Sequence, residues 1–209
     1  MKQMKLEWNP QHSALLIVDV QNDYCHKEGC LAKQDLDVSM VEEMMPNLKN
    51  MIATMKEENV PIIYIQTIHE NSTDSETWIK RLKGKNQTNL CRKDTWGAEF
   101  YQLEPDNDDV IVIKHRYSAF INTRLDSVLR ALKIETLLMA GVSTNICVES
   151  TARDGFMLDY DVIFLSDCTA AFSREAHNMT LQTINQFFGT VVTSNEVIQS
   201  IHAIPVGSE

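Results

Sequence analysis

Residues 136–156 read TLLMAGVSTNICVESTARDGF. The run Thr136-Leu137-Leu138-Met139-Ala140 is short and apolar, Gly141 interrupts it, and from Asn145 to Leu158 the pattern becomes helical. A strand-length apolar run that passes through a glycine into a helix reads as one βα step of a buried parallel sheet. Cys147 falls at that strand-to-helix junction. Backbone N–H groups and the helix dipole at such a place favour the thiolate, the form that attacks carbonyls. A cysteine there is otherwise a small buried core side chain, and it takes other groups to decide between the two.

The same step recurs along the chain. Apolar runs at Ala14–Val20, Val60–Ile65, Val110–Ile113, Thr136–Ala140, Val162–Ser166 and Thr190–Val192 are short and rich in valine and isoleucine. Helical patterns over Val38–Glu58, Asn122–Leu132, Asn145–Leu158 and Arg174–Phe187 separate them. Repeated βα units predict an α/β fold, a three-layer αβα sandwich around a mostly parallel sheet of about six strands. No linker or charge block divides the 209 residues, so a single domain over 1–209 is expected. The segment between Glu70 and Leu103 breaks the alternation. It carries Trp78 and Trp96 among many polar residues and reads as an insertion that covers the crevice, contacts a neighbouring subunit, or is a surface loop.

Two charged residues stand where a buried strand has no use for them. Asp19 follows the apolar residues Leu15 to Val18, and Lys114 follows Val110 to Ile113. An acid at a strand end is a capping group or an active-site group, and Asp23 is placed to cap as well; a lysine there is a solvated edge residue or a crevice residue. In an open parallel sheet the carboxyl ends of strands line the ligand crevice, so acid, cation and thiol are expected to converge. That convergence predicts a cysteine-nucleophile hydrolase.

Composition narrows the partners. The formal net charge of −10, with no basic cluster, argues against a nucleic-acid ligand. No stretch is long and apolar enough to span a membrane, and MKQMKLEWNP lacks the apolar core of a secretory signal, which predicts a cytoplasmic location. Cys25, Cys30, Cys91, Cys147 and Cys168 are odd in number and show no CxxC spacing, which fits reduced thiols better than a disulfide framework.

The order Asp19, Lys114, Cys147 comes with long flanking motifs: VDVQNDY (18–24), KHRYSAFINTRLDSVLR (114–130) and GVSTNICVESTARDGF (141–156). Together they resemble the isochorismatase-like cysteine hydrolase superfamily, from about Ala14 to Val192. RYSAF, NTRLDS, CVESTARDGF and DTWGAEF (94–100) resemble the ureidoacrylate and biuret amidohydrolases more closely than the nicotinamidases. The resemblance implies Asp19, Lys114 and Cys147 as a catalytic triad. It also implies an oxyanion hole from the backbone N–H groups of Ser143 and Cys147, with a cis peptide at Val142–Ser143. It further implies a small amide or ureido substrate, no cofactor, and assembly as a homodimer or homotetramer. Nicotinamidases of the superfamily carry a metal on an Asp-x-His pair and a further histidine. Here the stretch Gln66-Thr67-Ile68-His69-Glu70 has one histidine and no such pair, so no metal is expected.

In the chemistry these residues suggest, Asp19 accepts the thiol proton, Lys114 holds the negative charges, and the thiolate attacks the carbonyl to form a thioester that water opens. Tyr24, Gln66, Trp96 and Tyr117 are candidate substrate contacts, each equally suited to structural packing. Arg116 and Arg92 are candidates for a substrate carboxylate, or are solvated surface. The alternatives to a ureido or carbamoyl amidohydrolase are the same triad acting on another small amide, such as nicotinamide or N-carbamoylsarcosine, and a non-catalytic binding or redox-thiol module.

Overall fold

The computed structural model describes Leu6, residues 8–82 and residues 89–202. Six strands form one sheet: β1 (Ser13–Val18), β2 (Ile62–Thr67), β3 (Val110–Lys114), β4 (Thr136–Val142), β5 (Asp161–Ala170) and β6 (Thr190–Val192). Their order across the sheet is β3-β2-β1-β4-β5-β6, and every pairing is parallel. Among the described residues seven α-helices accompany them: α1 (Asn22–Cys25), α2 (Ser39–Glu57), α3 (Glu76–Leu82), α4 (Leu125–Ala131), α5 (Glu149–Met157), α6 (Arg174–Phe187) and α7 (Ser194–His202). This is the three-layer α/β architecture that the alternation predicts.

All six residues of β1 are buried, because it lies at the centre of the sheet with a helical layer on each face. Leu15 and Ile17 pack with Met44, Leu48, Met51 and Met55 of α2 and Val197 of α7. Leu16 and Val18 point the other way, against Leu125 and Leu129 of α4, Ala152 of α5 and Ile184 of α6. The chain builds outward from β1 through β2 to β3, then returns to β4 on the other side. The order therefore reverses between β1 and β4, and at their carboxyl ends the connections diverge and leave a crevice.

Several elements differ from expectation. β5 continues to Ala170 instead of ending near Ser166, and its ladder with β4 resumes at Gly141↔Thr169 after a shift in register. Asp167 hides this continuation in the sequence, yet its carboxylate is satisfied by the Ser194 N–H and hydroxyl, each at 2.7 Å. α4 begins at Leu125, because Asn122 has a left-handed backbone (φ 55°) and Thr123 Oγ1 accepts the Leu125 N–H at 3.0 Å. α7 has no counterpart among the expected helices. Within 70–103, α3 and a 3-10 turn at Trp96–Ala98 are ordered elements, while residues 83–88 lie outside the described residues.

Candidate active site

β1 ends in a turn that lifts a carboxylate off the sheet. Asp19 takes a left-handed backbone (φ 53°), an unusual conformation that aspartate tolerates better than most residues. Its N–H donates to Ile65 O at 3.0 Å and its carbonyl accepts from the Gln21 N–H at 2.8 Å. Lys114 ends β3, two strands away, and β2 lies between them with Thr67 in register with Lys114. The side chains bridge this gap: Lys114 Nζ is 2.7 Å from Asp19 Oδ2 and donates to Thr67 Oγ1 at 2.7 Å, and Thr67 Oγ1 donates to Asp19 Oδ1 at 2.8 Å. Arg116 O accepts a further Lys114 hydrogen bond at 3.0 Å.

Asp19 is fully buried and Lys114 is 1 % exposed. Burial alone pulls a lysine toward its neutral form, but the Asp19 carboxylate pushes it back up, so the net shift is upward and the ammonium persists. A buried ion pair of this kind contributes little net stability, since desolvation offsets most of the attraction.

Thr67 is held in turn by Gln21. The Gln21 amide donates to Thr67 O at 2.9 Å and to Ala98 O at 2.7 Å, and its oxygen accepts the Thr67 N–H at 2.8 Å. Neither residue was singled out from the sequence. Gln21 stands in the VDVQND run, and its position two residues beyond the acid was the available signal.

Cys147 reaches the same place from β4. Gly141 has φ +111°, and a Cβ there would lie 2.0 Å from Val18 O, so only glycine lets β4 run this close to β1 before the chain turns. The Val142–Ser143 peptide is cis. Cys147 then sits in a π-turn, Thr144–Val148, that leads into α5 rather than in the first turn of an α-helix. Its carbonyl accepts from Thr151 Oγ1 at 2.7 Å, and Thr144 Oγ1 pairs with His177 Nδ1 at 2.9 Å. Ser143 Oγ donates to Asn145 Oδ1 at 2.8 Å, while its own N–H remains the candidate oxyanion donor.

Electrostatics around the thiol differ from the expected thiolate. Burial pushes the Cys147 thiol well up; Lys114 pulls it down and Asp19 pushes it up again. With the two charges paired, their fields largely cancel at the sulfur, and desolvation decides the resting state as a neutral thiol. Asp19 Oδ2, apart from its contact with Lys114, carries no hydrogen bond. That oxygen is available to take the thiol proton.

The thiol opens into a pocket of about 170 Å3, lined on its walls by Tyr24, Trp78, Tyr117, Ile146 and Phe172, with Arg81 also on the lining. Two of the four expected substrate contacts, Tyr24 and Tyr117, are therefore placed on it. The other two are not. Gln66 donates to Ala98 O at 2.8 Å, which turns its amide onto the 3-10 turn, and Trp96 is 46 % exposed, packed edge-on against His26 at 5.1 Å. The carboxylate candidates are also spent elsewhere: Arg92 pairs with Asp74, and Arg116 donates to Thr73 O and His115 O. Asp23 accepts the N–H groups of Cys30 and Cys91, at 3.0 and 2.7 Å, and so ties the insertion to α1.

Trp78 and Arg81 of α3 bring the insertion onto the wall of the crevice. Trp78 stacks on His69 at 5.2 Å and meets Tyr117 edge-on at 5.1 Å. The apolar tryptophan in a polar stretch was the signal that would have found it. His69 is the residue to test for a metal, because it occupies the stretch that bears ligands in nicotinamidases. Its nearest acidic neighbour is Asp74, 3.8 Å away, and His115 Nδ1 is engaged with Ile68 O at 2.7 Å. Among the described residues no group of three histidine, cysteine or acidic side chains could hold a metal ion, so the ligand set does not fit one.

An isochorismatase domain model matches residues 13–196. The chain belongs to the isochorismatase family. Among similar proteins, a ureidoacrylate amidohydrolase from Enterobacter sp. (strain 638) is 36 % identical over 199 residues, covering 88 % of this chain and 86 % of that protein. One from Acinetobacter baylyi is 33 % identical over 206 residues, covering 91 % and 84 %. A cysteine hydrolase from Pseudomonas syringae pv. phaseolicola superimposes with a TM-score of 0.86 at 31 % identity, covering 97 % of this chain and 99 % of that one. The family match spans all six strands and the crevice between β1 and β4.

Proposed function

We propose that this isochorismatase-family chain is a cysteine-dependent amidohydrolase that cleaves a C–N bond of a small ureido or carbamoyl compound through a thioester. The hydrolase class, acting on carbon–nitrogen bonds other than peptide bonds, follows from the family and from relatives at 33–36 % identity. The observation that carries the finer reading is the placement of Cys147, on the pocket wall, beside the buried Asp19–Lys114 pair.

In this reading the thiol proton passes to Asp19 as the sulfur attacks the carbonyl, so the C–S bond forms without a free thiolate at rest. Lys114 stays charged throughout and holds the negative charge as it moves from carboxylate to sulfur. The backbone N–H groups of Ser143 and Cys147 receive the oxyanion. Asp19 then returns its proton to the departing nitrogen, which leaves as a neutral amine or ammonia when the C–N bond breaks. Water attacks the thioester with Asp19 again as base, and the thiol is regenerated. A pocket of about 170 Å3 with mostly apolar walls suits a compact substrate.

Ammonia release over a panel of ureido, carbamoyl and simple amide compounds tests the reading. The wild type is expected to turn over a ureido compound, and Cys147→Ala, which loses the nucleophile but little volume, to lose at least 1,000-fold of that rate, on the order expected for removal of a covalent nucleophile. Near-wild-type turnover by the alanine variant would end the thioester mechanism.

A further inference from the structure

We propose that α6 positions the nucleophile: His177 and Thr180 hold the two ends of the turn that carries Cys147, and they act as positioning residues for its attack. The inference rests on the amidohydrolase reading for the reaction that measures it, and on geometry for its residues.

Cys147 lies between two hydrogen bonds to α6. Ahead of it, Thr144 Oγ1, on the first residue of the π-turn, pairs with His177 Nδ1 at 2.9 Å. Behind it, Glu149, the first residue of α5, accepts from Thr180 Oγ1 at 2.6 Å. His177 and Thr180 are three positions apart on α6, so they share one face of that helix. Two groups at a spacing fixed by a regular helix therefore bracket the cysteine. Thr144, His177 and Thr180 are all buried, which limits the competition of water for these bonds.

The shape of the turn makes the bracket matter. Ser143 O accepts both the Ile146 N–H at 3.0 Å and the Val148 N–H at 3.2 Å, and the second of these closes the wider i→i+5 ring of a π-turn around Cys147. How far that ring opens depends on where residues 144 and 149 are held. Glu149 is fixed twice: its Oε2 accepts from Thr180, and its Oε1 accepts from Arg153 at 2.9 and 2.6 Å. The Arg153 guanidinium in turn lies over the Phe188 ring, 4.3 Å from its centroid, just past the end of α6. Ile184 of α6 is buried in the same core layer as Ala152 of α5, so the helix that sets the spacing is itself anchored. A shift of about 1 Å at the sulfur, caused by groups that never touch substrate, is enough to cost on the order of 100-fold in rate.

The test measures kcat and KM for biuret and 3-ureidopropionate in the wild type and in variants of α6. His177→Leu and Thr180→Val, the second of which keeps the shape and removes only the hydroxyl, should each lower kcat by about 10–100-fold while KM stays within about threefold. Thr180→Ser, which keeps the hydroxyl, should recover most of the loss. Thr144→Val combined with His177→Leu should cost no more than either change alone, because both remove one bond. Ile184→Val, which trims α6 away from the turn, should lower Tm and leave kcat unchanged. Loss of Tm without loss of kcat in His177→Leu and Thr180→Val would mean merely structural bonds, and a rise in KM at constant kcat would move their role to substrate binding; either result overturns the proposal. If the wild type hydrolyses neither compound, the amidohydrolase reading has failed for them, but the positioning is still decided by iodoacetamide alkylation of Cys147 against pH, since the sulfur's reactivity depends on its distances from Lys114 and Asp19. Profiles displaced in His177→Leu and Thr180→Val but not in Ile184→Val support the proposal; profiles that superimpose on the wild type reject it.

Discussion

The resting charge state of Cys147 follows from competition between three effects, and each has a variant that isolates it. Burial raises the thiol, Lys114 lowers it and Asp19 raises it. Lys114→Ala removes the lowering cation and leaves Asp19 facing the sulfur, so the alkylation pKa should move further up. Asp19→Asn removes the raising anion and leaves the cation, so it should move down. Rates of iodoacetamide alkylation against pH, in wild type and both variants, give the two shifts directly; shifts of the same sign would mean that the pair does not act on the sulfur as drawn. With Asp19 in its proposed role of proton carrier, turnover should nonetheless fall by a factor on the order of 100 or more in Asp19→Asn, because a more reactive thiol does not replace that role. The convergence of the three residues was legible because each stands at the end of an apolar run where a charge or thiol has no packing reason to be. Their ionisation was not, since it depends on how deep the crevice lies and on the Thr67 bridge between strands distant in sequence.

At the scale of elements, the run Gly141–Phe156 holds two glycines with opposite demands. Gly141 has a left-handed φ, and any Cβ would meet Val18 backbone at 2.0 Å, so Gly141→Ala should cost about 3 kcal/mol or more, among the large values for a single substitution. Gly155 lies inside α5, where a Cβ would meet Leu137 Cδ1 at 2.8 Å, a side-chain atom that can turn aside. Replacing it with alanine also gains about 1 kcal/mol of helix propensity, so Gly155→Ala should stay within about 1 kcal/mol of the wild type. Thermal unfolding of the two variants checks the contrast, and similar losses in both would contradict this account of the β1–β4 approach. Strands and helices of the sandwich were readable from periodicity because they answer to burial on a regular face. α3 was not, because its seven residues owe their place to one tryptophan wedged between His69 and Tyr117, a contact that no local pattern announces.

For the whole molecule, the acid side of the stability curve should be governed in part by a histidine that is not one of Asp19, Lys114 and Cys147. His69 is buried at the base of the insertion, neither ring nitrogen has a hydrogen-bond partner, and desolvation lowers its pKa to about 4 although Asp74 pulls the other way. The unfolded chain binds this proton near the ordinary value of about 6.5. Above that pH both states are neutral and the group costs nothing. As pH falls below it the unfolded state takes up the proton first, so stability is lost progressively down to about pH 4, where the folded state begins to titrate as well. Between pH 7.5 and pH 5 the loss should be about 2 kcal/mol, or roughly 4–8 °C in Tm for a chain of this size. His177, also lowered by burial, adds a loss of the same sign. The acidic groups with lowered pKa values, Asp37, Glu70, Asp126 and Glu196, begin to matter only nearer the carboxylate range, which leaves the upper part of the window to the histidines. His69→Phe keeps a ring against Trp78 and removes the titration, so its Tm should fall less between pH 7.5 and pH 5 than that of the wild type. A fall as steep as the wild type's would show that His69 is not held neutral, and that the insertion is not anchored at this point by a dry, unprotonated ring.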